Sequence, residues 1–134
     1  MMFLRVVERG VWTVFAVSDQ RGHCPLQEFI DRLRIVNQAE FRRAIALLGM
    51  TAANGPPRNE AKSRRLAKGI YELKTRGGIR IPYFVDEGRV IICTEAIMKP
   101  KGTELRKIIR RSELMRESYF RAKSAGALEI IRKD

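Results

Sequence analysis

Residues 71–85 read YELKTRGGIRIPYFV, and the strand pairing inside this stretch decides the fold. Two runs rich in β-branched and aromatic residues flank Gly77-Gly78, the pattern of a β-hairpin. Directly opposed residues share a sheet face, so the register follows from side-chain type. A three-residue loop, Arg76-Gly77-Gly78, sets Thr75 against Ile79, Lys74 against Arg80, Leu73 against Ile81 and Tyr71 against Tyr83. Apolar residues then meet apolar ones, and Gly78 takes the left-handed loop position. A two-residue loop would set Arg76 against Ile79 and mix the faces. Three cations remain, Lys74, Arg76 and Arg80, for which a hairpin core has no use.

Working outward, a turn at Glu87-Gly88 predicts a third strand over residues 89–97, with Val85 against Val90, Tyr83 against Ile92 and Arg80 against Glu95. One face then carries Tyr71, Leu73, Ile81, Tyr83, Val85, Val90 and Ile92, ready to pack on helices. The other carries a row of Lys74, Arg80 and Glu95 beside the Arg76 loop, and Lys99 and Lys101 leave the last strand at the same end. More cation gathers there than one carboxylate can pair. Phe84, Pro82, Ile91 and Cys93 on that second face either form a platform for unstacked bases or lie under another segment. Pro82 lacks the N–H that a central strand needs, which predicts a local bulge.

Before the hairpin, residues 11–17 (VWTVFAV) are apolar on both faces, as in a buried strand. Pro25 suits the first position of a helix with Leu26, Phe29, Ile30 and Leu33 at helical spacing. Asn37 and Glu40 have capping-box spacing for a second helix, which carries Phe41, Ala44, Ile45 and Leu48 and stops before Asn54-Gly55-Pro56-Pro57. Residues 58–68 (RNEAKSRRLAK) read as a basic connector. A last helix is predicted over 103–121 with Leu105, Ile108, Ile109, Met115 and Tyr119 inward, and residues 122–134 remain a tail of undefined structure. The order β-α-α-β-β-β-α makes an α+β fold: a single domain over 1–134 with its core at about 11–121, a small antiparallel sheet and helices on one face.

The chain has 27 Lys and Arg against 15 Asp and Glu, a net charge of +12. The excess is uneven: residues 1–57 carry a net +2 and residues 58–134 a net +10. Such a basic half fits a polyanion, usually nucleic acid. Cys24 and Cys93 are too few for a disulfide framework and have no metal-like spacing with histidine. The N-terminal run FLRVVERGVWTVFAV is broken by Arg5, Glu8 and Arg9, so it reads as neither signal peptide nor membrane span, and a soluble cytoplasmic protein is expected. His23 is the only histidine, which rules out a two-histidine ribonuclease mechanism. No phosphate-binding glycine loop, cofactor site or metal site is read.

With these elements placed, the chain resembles the RelE/HigB superfamily of toxin–antitoxin toxins, in its phage-derived HigB-like branch. The resemblance covers residues 11–119 and rests on an ordered set of segments: CPLQEFIDRL, EFRRAIALLGMTAANGPP, GIYELKTR, IRIPYFV and AIMKPK. It implies a ribosome-dependent mRNA endonuclease that needs no metal and is held inactive by a cognate antitoxin. The matched positions are Lys74, Arg76, Arg80, Lys99 and Lys101. This sequence departs from the pattern in three places. Glu95 stands where a histidine is frequent, Pro100 interrupts the lysine pair, and a late tyrosine has no counterpart, with Arg106 nearby.

In that reading Arg76 and Arg80 stabilise the pentacoordinate phosphate, and Lys74 or Lys99 serves as base or acid. Glu95 is a second base candidate or orients Arg80, while Lys101 and Arg106 extend RNA binding. A non-catalytic RNA- or ribosome-binding module would use the same surface. A DNA-binding regulator is the third reading, without a helix-turn-helix pattern behind it.

Overall fold

The computed structural model describes residues 1–131. In chain order these form β1 (Met2–Arg9), β2 (Thr13–Ser18), α1 (Pro25–Val36), α2 (Gln38–Asn54), β3 (Ser63–Ala67), β4 (Ile70–Lys74), β5 (Ile79–Asp86), β6 (Val90–Cys93), β7 (Ile97–Met98), α3 (Gly102–Ser124) and β8 (Leu128–Ile131). The fold is α+β. The hairpin has the register argued above: Lys74 opposes Arg80, Leu73 opposes Ile81 and Tyr71 opposes Tyr83. Gly78 sits at φ 103°, the left-handed conformation that the three-residue loop demands.

The sheet is larger than the sequence suggested, and it is mixed rather than antiparallel. Its order is β3-β4-β5-β6-β2-β1-β8, with β7 also on β5. β2 runs parallel to β6, and β1 runs parallel to β8. Three strands were missed. β1 alternates Met2, Leu4 and Val6 toward one face, a period of two hidden by the charges between them. β3 lies within the supposed basic connector, and β8 forms from the supposed tail, of which residues 132–134 lie outside the described residues.

Helices cover both faces, not one. Val14 and Ala16 join α1 and α2 in one core with Leu73, Ile81, Tyr83, Ile91 and Cys93. Phe15 and Val17 turn the other way, onto a second core with Ile70, Phe84, Ile92 and the Tyr119 and Ala122 side chains of α3. The doubly apolar run VWTVFAV already requires two layers, since successive strand residues point to opposite sides.

The β5–β6 register also differs by one residue. Val85 opposes Ile91 and Tyr83 opposes Cys93, because Arg89 adopts φ 60° and joins Glu87 and Gly88 in a three-residue turn. One step moves every β6 side chain to the other face. The bulge expected from Pro82 falls on the partner strand: Cys93 opposes Tyr83 and Ile97 opposes Arg80, so four steps there span three on β5. Pro82 itself stays in register with Glu72.

α3 is pinned to the sheet by a buried Thr94–Ser112 hydroxyl pair at 2.9 Å and by Asp86, which accepts from Tyr119 Oη at 2.6 Å and Lys123 Nζ at 2.8 Å. Burial opposes the charge on Asp86, but these donors outweigh it and hold the carboxyl below its ordinary 3.8. A depressed folded-state pKa gives stability that is full above the unfolded value and lost as pH falls through the folded one. Asp86→Asn is therefore expected to cost about 1.5–3 kcal/mol at neutral pH. The gap from wild type should close as denaturation is repeated below pH 3.8.

Candidate functional site

The loop at Thr75–Gly78 is anchored from α2. Asn37 caps α2 by accepting the Glu40 N–H at 3.2 Å, but the Glu40 side chain does not reach back to complete a capping box. It is buried, 4% exposed, and accepts from Thr75 Oγ1 at 3.4 Å and Arg43 Nη1 at 3.1 Å. Gly77 lies directly against this carboxylate, where a β-carbon would overlap it. Thr75 Oγ1 in turn accepts the Ile79 N–H at 3.0 Å. The loop that presents Arg76 is thus held by a charged group beneath it.

Lys99 is tied to the same loop. Its N–H donates to the Gly78 carbonyl at 2.8 Å, its aliphatic stem lies over Gly78, and its φ is 45°. A non-glycine residue in this region carries strain of about 1–3 kcal/mol, as Arg89 does in the β5–β6 turn. Lys101 follows as the N-cap of α3, with Arg106 Nη1 reaching back toward Gly102. The free N–H groups of the α3 N-terminus add partial positive charge there.

Lys74, Arg76, Lys99, Lys101 and Arg106 form no ion pair among the described residues. Arg76, Lys99, Lys101 and Arg106 are exposed and Lys74 is half-buried. Beside Lys74 and Arg76 opens a cleft of about 590 Å³, floored by Ala46, Leu47 and Met50 and rimmed by Arg43 and Lys62.

The other two expected members, Arg80 and Glu95, do not meet each other. Arg80 Nη1 donates to both oxygens of Glu72, at 3.1 and 2.9 Å, and Arg64 donates to the same carboxylate at 2.9 and 3.0 Å. Glu72 is wholly buried, whereas the Arg80 side chain keeps 27% of its surface. Glu95 sits at the bulge and is held by Arg111 at 2.8 and 3.1 Å. Glu72 and Arg64 were not singled out from sequence. A carboxylate at a strand position on the same face as Ile70 was the available signal for the first, and nothing in RNEAKSRRLAK marked the second as a strand residue.

Of the two alternatives read for Phe84, Ile91 and Cys93, cover by other segments holds. Phe84 is fully buried under Tyr119 and Phe120, and Ile91 and Cys93 face the opposite core. Burial raises the Cys24 and Cys93 thiols, away from the reactive thiolate. His23 is raised by its hydrogen bond to Glu28 in an exposed loop. No group of three or more His, Cys, Asp or Glu side chains that could hold a metal occurs among the described residues, and no helix there is long and apolar enough to cross a membrane.

A family model described as Phage derived protein Gp49-like (DUF891) matches residues 28–127, from within α1 to just beyond α3. No curated protein matches the chain.

Proposed function

The chain belongs to the Gp49-like family of phage-derived proteins, a RelE-like, toxin-like family, and on that premise we propose that it is the toxin of a type II toxin–antitoxin pair, acting on mRNA at the ribosome. The observation that carries this reading is the set of cations around the 75–78 loop, Lys74, Arg76 and Lys99, continued by Lys101 and Arg106, that have no carboxylate partner among the described residues. Unpaired cations on a pre-set loop suit successive phosphates, and a guanidinium adds a planar fork.

The reaction proposed is transphosphorylation: the 2′-oxygen attacks phosphorus, the P–O5′ bond breaks, and a 2′,3′-cyclic phosphate remains. Arg76 and Arg80 stabilise the pentacoordinate phosphate. Only Nη1 of Arg80 is committed to Glu72, so the rest of its fork is available, and Glu72 takes the orienting role expected of Glu95. Lys74 or Lys99 removes the 2′-proton or supplies one to the departing oxygen. A non-catalytic RNA- or ribosome-binding toxin is the second reading, favoured by the engagement of both Arg80 and Glu95 within the fold.

Expression of the chain alone should arrest bacterial growth, and co-expression of an acidic cognate antitoxin should restore it. Mapping mRNA 5′ ends then separates the readings, since new ends that appear only on translated messages indicate cleavage. Arrest without new ends indicates binding alone. Unimpaired growth with soluble protein present counts against a toxin of either kind.

A further inference from the structure

A second cleft, of about 550 Å³, lies away from the cation loop, between the turn after α2 and the β3–β5 strands. It holds Trp12, Tyr71 and Pro57, with Arg58, Arg65 and Glu60 at its edge. Tyr71 stacks on Tyr83, with ring centroids 5.7 Å apart and planes at 28°. Tyr83 is buried and its hydroxyl is paired with Ser63 at 2.7 Å, so Tyr71 is the outer ring of a fixed two-ring stack. The Trp12 indole lies against Gly55, so closely that a β-carbon there would approach Nε1 to 2.7 Å. Both partly exposed aromatic rings are therefore pre-positioned, and little side-chain freedom is lost when something stacks on them.

Charge selects the occupant. Arg58 and Arg65 form no ion pair among the described residues, whereas Arg64 turns its guanidinium to Glu72 on the other sheet face. Against them stands a single exposed carboxylate, Glu60. Aromatic faces beside arginines form the combination that binds single-stranded nucleic acid, with the rings taking bases and the guanidiniums taking phosphates. The two clefts adjoin along the 60–63 segment, since Ala61 and Lys62 line the one beside Arg76 while Glu60 and Ser63 line this one, so a strand held at Arg76 can bring a neighbouring nucleotide to Tyr71.

We propose that this cleft is a base-stacking subsite for single-stranded RNA, in which Tyr71 and Trp12 take a nucleobase flanking the phosphates held by Lys74, Arg76 and Lys99. The assignment rests on the RNA-directed reading above.

Trp12 is the only tryptophan, so its emission reports on this cleft alone. The purified full chain is titrated with single-stranded oligoadenylate and, in parallel, with inorganic polyphosphate, which has charge but no bases. Oligoadenylate should quench Trp12, and polyphosphate should bind without quenching. Tyr71→Ala should weaken oligoadenylate binding by about five- to hundredfold, the worth of one base stack, while Tyr71→Phe stays within about twofold. Arg65→Ala, on an exposed edge residue, should weaken binding more modestly and leave quenching at saturation intact.

RNA binding that leaves Trp12 emission unchanged and is insensitive to Tyr71→Ala overturns the subsite and leaves the toxin reading standing. Equal quenching by polyphosphate also overturns it. Quenching by the antitoxin but not by RNA reassigns the cleft to protein docking. Absence of any RNA binding sinks the subsite and the RNA-directed reading together.

Discussion

Arg80→Ala should lower folding stability by about 3–5 kcal/mol, the range seen when one partner of a buried ion pair is removed. The reason is the burial of Glu72, which has no exposed surface and whose two oxygens are held by Arg80 from β5 and Arg64 from β3. Arg64 alone is a poor substitute, because its side chain is 44% exposed at the sheet edge and its charge is shared with water. The carboxylate would remain desolvated beneath α3 with half its donors gone. Urea denaturation followed by circular dichroism measures the loss as a lower midpoint. Glu72→Leu added to Arg80→Ala removes the stranded charge and should recover much of the stability, since apolar replacement of a buried pair is often neutral or better. The pair of variants also separates two meanings of lost activity. If the double variant folds like wild type yet no longer arrests growth, the Arg80 guanidinium is needed for more than folding. If the single variant is as stable as wild type, Glu72 is not the buried, charge-dependent anchor that its position indicates.

The fold is legible in the sequence where one physical constraint acts alone. In the 71–85 hairpin, sharing of faces and the need for a left-handed glycine left one register, and the strands pair in it. Legibility ends where a second element supplies the deciding contact. Ile70, Glu72 and Lys74 alternate on one face, and in isolation that face looks solvated, because nothing local announces that α3 will cover it. The same omission left Phe84 open between a base platform and a covered position, when it is core. The β6 slip has a smaller cause: an arginine, not glycine, took a left-handed turn position, which residue type alone argues against. Glu40 shows the limit most clearly. Its spacing from Asn37 fits a capping box, but its carboxylate serves a loop 35 residues away. Of the candidate site, the loop cations were legible because excess charge cannot be hidden in a core, whereas the carboxylates that orient them could not be assigned without the tertiary fold.

Removing together the three loop cations that have no ion-pair partner among the described residues should strip most of the RNA affinity and most of its salt dependence. If Lys74, Arg76, Lys99 and the free part of the Arg80 fork each meet one phosphate, the logarithm of affinity for single-stranded RNA falls with log[salt] at a slope of about −2.8. Wild type then binds about fiftyfold more weakly at 200 mM salt than at 50 mM. The Lys74→Ala, Arg76→Ala, Lys99→Ala variant keeps a slope of about −0.7 and loses only about threefold over the same range. None of the three side chains is paired among the described residues, so thermal unfolding should change little, and Lys99→Ala leaves the backbone bond to Gly78 in place. Arg110→Ala, on an exposed turn of α3, serves as a single-charge surface control and should move the slope little. Growth arrest should disappear with the triple variant and persist with the control. Should the triple variant retain the wild-type slope and still arrest growth, the phosphates lie elsewhere, and the charge on this hairpin answers only to water.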